Sequence, residues 1–116
     1  MASRDEVERR LEDLLQRLRG TDEVRASLRE SVPEPRILAL HVSDLDASYW
    51  AEMAGGRVGD LHSGEPEDQA HVRIRAGSDD LVALAEGELT LVSAYLSGRV
   101  RVDAGVADML QIRRML

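Results

Sequence analysis

Three histidines are candidate ligands for a metal ion such as zinc. His41, His62 and His71 all fall on predicted strands, where they could converge on one ion. No pair of them has the spacing of a zinc-binding motif, and nothing in the sequence establishes a carboxylate that would complete a ligand set. Hydrogen-bonded or solvated histidines are therefore the favoured interpretation, and we predict no metal site.

An acidic run from Asp44 to Ser48 begins like a calcium-binding loop, with oxygen-bearing side chains at every second position. Such a loop needs glycine at its sixth position for a sharp turn and a bidentate glutamate at its twelfth. This chain has Tyr49 and Gly55 at those positions. The match fails, and the run is interpreted as a turn followed by a strand.

Catalytic and phosphate-binding motifs give no stronger signal. The glycine-rich segment 54–59, AGGRVG, has neither the dinucleotide-binding nor the phosphate-loop spacing and does not lead into a helix, so it is typical of a hairpin turn. No serine lies in a nucleophile elbow, no acid pair has an apolar neighbourhood, and the chain has no cysteine. We predict no catalytic residue and no cofactor. Of the three hypotheses for this chain, an enzyme acting on an apolar substrate is therefore the weakest. The other two are binding functions and follow from the residues described next.

The charge balance argues against nucleic acid as a partner. The formal net charge is −7 and every basic side chain except histidine is arginine, whereas binding to a polyanion requires an excess of cations. The absence of cysteine favours a reducing compartment, and no apolar run approaches the roughly 18 residues of a membrane span. The N-terminus also lacks the apolar core of a signal peptide. We therefore expect a cytoplasmic protein.

The first 35 residues predict two helices. Ser3 and Glu6 form a capping box before an apolar stripe from Val7 to Leu18, and Gly20 ends this first helix. Thr21 to Val32 has the spacing of a second helix, which the prolines that follow terminate. A leucine stripe of this kind is usually core; the other interpretation is a face for dimerisation or partner binding.

Residues 36–116 predict a sheet followed by helices. Strands are expected at 37–42, 48–53, near 57–62 and at 70–76, separated by a turn at 43–46, a glycine turn and a polar loop at 63–69. Ser78 is expected to cap a helix that ends at Gly87, and a second helix ends at Gly98. A strand with alternating valines and arginines follows, and 106–116 is expected to form a closing helix.

The predicted fold class is therefore α+β. It has about five strands in an antiparallel or mixed sheet, with the helices packed on one face. The chain is expected to form one domain, in which 1–35 is an N-terminal helical segment and 36–116 contains the sheet and the C-terminal helices.

The stretch 78–103 resembles the sterol carrier protein family. The resemblance lies in an acidic first turn, the glycines at 87 and 98 that close two short helices, the Ala94-Tyr95 pair and the strand with alternating arginines. It runs from Ile37 to Leu116 and is clearest over 72–116. It departs at the last strand, which family members commonly follow with a glycine and this chain follows with Asp103-Ala104. The resemblance implies a helix layer that leans on a curved sheet and encloses an apolar tunnel for a lipid.

The leading hypothesis is non-enzymatic binding or transfer of an apolar small molecule, such as a sterol or fatty acyl lipid, between the sheet and the helices. For each predicted cavity-lining residue the alternative is ordinary core packing. The predicted lining consists of Trp50, Met53, Leu84, Leu91, Tyr95, Leu96, Met109, Ile112 and Met115.

Two further features leave alternatives open. A basic edge formed by Arg99, Arg101, Arg113 and Arg114 could make transient contact with anionic lipid headgroups, although a solvated surface is favoured. The second hypothesis for the whole chain is a small interaction module with the same fold and a filled core. This module would form a homodimer or dock on a larger protein through the N-terminal leucine face.

Overall fold

The computed structural model of the chain describes residues 1–19, 35–55, 57–105, 108 and 110. The predicted helix at 21–32 and all of the predicted closing helix except positions 108 and 110 lie outside the described residues. The elements within them, in chain order, are α1 (Arg4–Arg19), β1 (Arg36–Val42), β2 (Ala47–Ala54), β3 (Arg57–Val58), β4 (His62–Ser63), β5 (Val72–Ala76), α2 (Ser78–Glu86), α3 (Leu91–Leu96) and β6 (Val100–Ala104). None of the helices in this part of the chain is long and apolar enough to cross a bilayer.

Helix α1 begins as the capping box predicts. The hydroxyl of Ser3 accepts a hydrogen bond of 3.2 Å from the amide of Glu6, which satisfies one of the free N–H groups of the first turn. The apolar stripe points inward: Val7 and Leu15 are buried, and Leu11 packs against the core. The part of the leucine face that the structure describes is therefore used within the chain.

The C-terminal end of α1 is tied to its neighbours by arginine side chains. Arg17 donates a hydrogen bond to the carbonyl of Ala85 in the last turn of α2. Arg19 donates to the carbonyls of Val58 at 3.1 Å and Gly59 at 2.6 Å. Helix α2 has no basic residue in its own last turn. Arg17 therefore supplies the positive charge that stabilises the C-terminal end of a helix dipole.

The strands form one mixed sheet in the order β3-β2-β1-β5-β6, and β4 pairs with β2 beside β3. All pairs are antiparallel except β1 with β5, which is parallel. The predicted α+β class and mixed sheet are confirmed. The described sheet has six strands because the segment predicted as one strand near 57–62 forms two short ones. They are separated where the amide of Gly59 bonds to the carbonyl of Glu52 at 2.7 Å.

The sheet has two faces because successive side chains of a strand point to opposite sides. The face that we call inner carries Leu40, Ile74 and Val102 in register, with Tyr49 beside Leu40. It packs against apolar residues of the helices. The opposite, outer face carries a row that follows strand order β2-β1-β5-β6 and consists of Ser48, His41, Arg75 and Arg101. The alternation predicted for β6 is confirmed, and β1 and β5 follow the same period of two.

The start of α2 corrects the sequence analysis. Ser78 is the first helical residue and Gly77 is the N-cap. The side chain of Ser78 is fully buried, and its hydroxyl accepts a bond of 3.1 Å from the amide of Ala2. The same hydroxyl donates to the Asp44 carboxylate at 2.6 Å, and the Ser78 amide donates to it at 2.8 Å. A carboxylate from the β1–β2 turn thus caps the helix, a contact that local spacing does not reveal.

The glycines predicted to end α2 and the helical segment before β6 have the expected conformation. Gly87 and Gly98 have φ angles of 80° and 79°, in the left-handed region that side chains disfavour. Thr90 caps α3 through its hydroxyl, which accepts a bond of 3.2 Å from the amide of Ser93. Gly87 and the Thr90 cap therefore determine the turn between α2 and α3, and Gly98 determines the tight turn that leads into β6.

The cap contributed by Asp44 predicts an acid-dependent part of stability. Hydrogen bonds from Ser78 lower the pKa of the Asp44 carboxyl. A carboxylate of this kind stabilises the fold above its unfolded pKa of about 3.9, and the contribution is lost as pH falls through the folded value. We therefore expect Asp44→Asn to be less stable than wild type at neutral pH. We also expect this difference to shrink as pH falls below about 4, as measured by urea unfolding at a series of pH values.

The matched control is Asp68→Asn, which makes the same change in an exposed loop position. Its unfolding free energy should follow that of wild type across the same pH series. A constant difference between wild type and Asp44→Asn down to the lowest pH would contradict the role given to this carboxylate.

Candidate functional site

The inner face carries larger apolar side chains that the core does not bury completely. Leu40, Ile74 and Val102 lie side by side across three strands, and each is half-buried while packing against the core. The core itself is built from small residues: seven of the fourteen buried hydrophobic residues in the described part of the chain are alanines. Small core residues beside larger, half-buried ones leave apolar area that a guest molecule could cover.

Helix α3 is anchored on one side and exposed on the other. Ala94 is completely buried in the core. By contrast, Val92, Tyr95 and Leu96 are 42%, 46% and 78% exposed. A soluble surface seldom groups its large apolar side chains in this way, and such a cluster is typical of a contact surface for a ligand, a membrane or a protein.

A groove of about 880 Å³ lies beside α3 and crosses the strands. It opens on the outer face, because its lining includes Glu65, which forms an ion pair of 3.0 Å with the outer-face residue Arg73. It is therefore not the enclosed cavity between sheet and helices that the sequence analysis predicts. Its other lining residues in the described part of the chain are Ala39, Leu40, His41, Ile74, Arg75, Tyr95, Leu96, Gly98, Val100, Arg101, Val102 and Asp103.

Charge on the outer face is divided between two neighbouring rows. In one row Arg73 is neutralised by Glu65, and Asp103 lies opposite it on β6. The bond from Arg73 also lowers the pKa of the Glu65 carboxyl. In the next row Arg75 lies directly opposite Arg101. Cross-strand neighbours of like charge repel each other.

A model of the SCP-2 sterol transfer family matches residues 6–115, almost the whole chain. The chain belongs to this family. The resemblance stated from the sequence is thus confirmed, and membership supports binding or transfer of lipids. Among curated proteins, hydroxysteroid dehydrogenase-like protein 2 of Bos taurus is 25% identical over 80 residues, which are 69% of this chain and 19% of that protein. The chain thus spans about a fifth of the length of the curated relatives it matches.

Solved structures of the SCP-2 type have the same fold. Sterol carrier protein 2 like 2 of Aedes aegypti superposes with a TM-score of 0.64 at 17% identity, over 93% of this chain and 95% of that chain. A structure described as the UbiJ-SCP2 ubiquinone synthesis protein gives a TM-score of 0.67 at 19% identity, over 88% and 85% of the two chains. At these identities the likeness shows the fold alone.

Within this SCP-2 fold, the predicted lining residues do not all lie together. Trp50 is on the outer face, where its ring stacks on that of His62 at a centroid distance of 4.2 Å. Its side chain therefore leaves the sheet on the side opposite helices α1, α2 and α3, away from the placement predicted for it. Met53 is half-buried near the end of β2, and Leu84 packs against the core from α2.

The remaining predicted lining residues belong to α3 and to the closing segment. Tyr95 and Leu96 line the groove. Leu91 begins α3, but its side chain is not among those described. Met109, Ile112 and Met115 lie outside the described residues.

The three histidines do not converge. His41 bonds to the Ser48 hydroxyl at 3.0 Å, and His71 accepts a bond of 3.0 Å from the amide of Ile37. His62 stacks on Trp50, as described above. Within the ranges that the structure describes, no group of three potential ligands could hold a metal ion.

Sequence reasoning missed the facing arginines 75 and 101. The alternation within each strand gives each arginine the solvent side of its own strand. The sequence does not state which strands pair or in which register, so the opposition of the two side chains became visible only with the sheet order.

The stacked pair of Trp50 and His62 should contribute to the attachment of the short strand β4. Stacked aromatic pairs contribute about 0.5–1.5 kcal/mol beyond the area they bury. We therefore expect His62→Ala to lower the free energy of unfolding by about that amount and to change the emission of Trp50, the single tryptophan of the chain. The emission spectrum and urea unfolding measure the two effects.

A matched control is His71→Ala, which removes another imidazole that is not stacked on Trp50. Its emission spectrum should match that of wild type. An unchanged spectrum in the His62→Ala variant would contradict the stacking.

Proposed function

We propose that this chain binds an apolar lipid, such as a sterol or a fatty acyl molecule, and carries it without catalysis. The observation that carries the proposal is the half-buried row of Leu40, Ile74 and Val102 on the inner face. It occurs in a member of the SCP-2 sterol transfer family. The lipid would lie along this row under the helix layer. The predicted residues Met53, Leu84, Leu91, Met109, Ile112 and Met115 remain part of the proposed lining.

The mechanism would be partition between protein and membrane. Burying ten methylene groups is worth about 8 kcal/mol at about 0.8 kcal/mol each. Association costs about 4–15 kcal/mol in lost translational and rotational freedom. Ten methylene groups therefore leave about −4 kcal/mol at best, a dissociation constant of about 1 mM, and each further buried methylene tightens binding about fourfold. A carrier benefits from such a balance, because the lipid must also leave.

The exposed side of α3 would make the contact through which lipid enters and leaves. Val92, Tyr95 and Leu96 supply apolar area, and Arg99 follows them in the turn before β6. Apolar side chains flanked by cations suit the interface of a membrane with anionic headgroups. This contact is part of the proposal.

Binding without chemistry is favoured because the lipid-facing surface would be aliphatic. The inner-face row contains no titratable or nucleophilic side chain. General acid–base or nucleophilic catalysis requires such a group within hydrogen-bond distance of the reacting atom. An apolar row of this kind is suited to holding a lipid.

The test is saturable binding of a fluorescent sterol, followed by its polarisation, to wild type and to Val102→Gln. Placing an amide against an apolar ligand costs about 1–3 kcal/mol, so the dissociation constant should rise about tenfold. Val102 lies on the edge strand β6, where the substitution should disturb the fold least.

The matched control is Asp103→Asn, one residue along the same strand and on the outer face. It should bind the sterol as wild type does. Circular dichroism and urea unfolding establish that both variants fold. A folded Val102→Gln variant with unchanged affinity, or no saturable binding by wild type, would overturn the proposal.

A further inference from the structure

The outer face contains a concentration of positive charge that no other described residue neutralises. Arg75 and Arg101 are register neighbours on β5 and β6, so their side chains leave the sheet on the same side. Both line the groove beside α3. Within the described part of the chain, neither has a hydrogen-bond or ion-pair partner.

The two acids that line the groove belong to the neighbouring row of the outer face. Glu65 is bonded to Arg73 at 3.0 Å, and Asp103 is the register neighbour of that same arginine. In the row of Arg75 and Arg101 the third position is His41, whose ring nitrogens face the hydroxyl of Ser48 at 3.0 Å and the carboxylate of Asp46 at 3.6 Å. The two guanidinium groups therefore retain their hydrogen-bond donors and their charge.

The opposed arginines 75 and 101 lower the free energy of unfolding unless an anion lies between them. Directly opposed like charges on neighbouring strands destabilise a sheet. A guanidinium group presents its donors in a planar fork that matches the oxygens of a carboxylate or phosphate. Two forks that face each other across one strand spacing could hold a single oxyanion between them.

The rest of the groove indicates what is attached to that oxyanion. Its wall beside the arginines is formed by Tyr95 and Leu96, which are 46% and 78% exposed, and its floor includes Ala39. Its volume of about 880 Å³ is within the range of small-molecule sites. A short amphiphile would place its head at the arginines and its tail against α3.

We propose that Arg75 and Arg101 form an oxyanion site on the outer face, which binds the carboxylate or phosphate head of an amphiphile whose apolar part lies against Tyr95 and Leu96. Its two arginine side chains leave the sheet on the outer face, whereas those of Leu40, Ile74 and Val102 leave it on the inner face, so the proposal does not depend on the sterol proposal. Its ligand carries a charge, whereas the inner row suits an uncharged apolar chain.

The test uses the full chain and four probes: dodecanoate, its uncharged analogue dodecanol, acetate and inorganic phosphate. Dodecanoate should bind saturably and shift the side-chain Nε–Hε resonances of Arg75 and Arg101. Dodecanol lacks the charge and acetate lacks the tail, so each should bind about tenfold or more weakly than dodecanoate. Raising the salt concentration should weaken dodecanoate binding, because the site is open to solvent.

The informative variant is the double substitution Arg75→Gln and Arg101→Gln, for which dodecanoate affinity should fall about tenfold or more. Arg99→Gln is the control, since it makes the same kind of substitution once, at an exposed position outside the groove lining. It should bind dodecanoate as wild type does. Without ligand, the double variant should have an unchanged or higher midpoint of thermal unfolding, because a repulsion is removed. A purely structural role for the arginines predicts a lower midpoint.

Three results would overturn the proposal: equal binding of dodecanoate by wild type and the double variant, equal binding of dodecanol and dodecanoate, or an equal loss in Arg99→Gln. If phosphate shifts the same two resonances as strongly as dodecanoate at equal concentration, the amphiphile is overturned as the ligand and a free oxyanion takes its place. Sterol binding by the double variant should be intact, which distinguishes failure of this site from failure of the carrier function.

Discussion

The parallel pairing of β1 with β5 is the constraint on which the rest of the structure depends. It joins the hairpin of β1 and β2 to the antiparallel pair of β5 and β6. Helices α2 and α3 lie in the connection between β5 and β6, so they must return the chain to the same sheet edge. The register of this central pair sets which residues of four strands share a face. Both the apolar inner row and the arginine row are consequences of it.

Local signals in the sequence were sufficient for most of the fold. The capping box at Ser3 and the glycines at 87 and 98 act within a few residues of themselves, and the structure confirms them. The alternation of valine and arginine likewise gives the two faces of β6, because a strand has a period of two whatever it pairs with. The family resemblance of the C-terminal stretch supplied the architecture that joins these elements.

The predictions that differed depend on contacts between distant segments. Ser78 is a good capping residue by type, but its hydroxyl is used by Ala2 and Asp44, which lie 76 and 34 residues away. Trp50 was assigned to the helix side as a large apolar residue, yet its position between Tyr49 and Ala51 gives it the outer face. A tryptophan is expected to be buried because its side chain is large and apolar. The alternation of side chains along the strand, however, determines which face of the sheet it occupies. The opposition of Arg75 and Arg101 required the pairing of β5 with β6.

The attachment of α1 has a consequence for how the helix layer could open. Arg17 bonds to the last turn of α2, and Arg10 adds an ion pair of 2.8 Å with Glu86 at the end of the same helix. These two helices therefore move together, since separating them would leave a carbonyl and two charges without their partners. Helix α3 is only six residues long and turns its larger apolar side chains outward. Of the described helices, α3 is therefore the one expected to move if the helix layer opens, while α1 and α2 stay joined to each other.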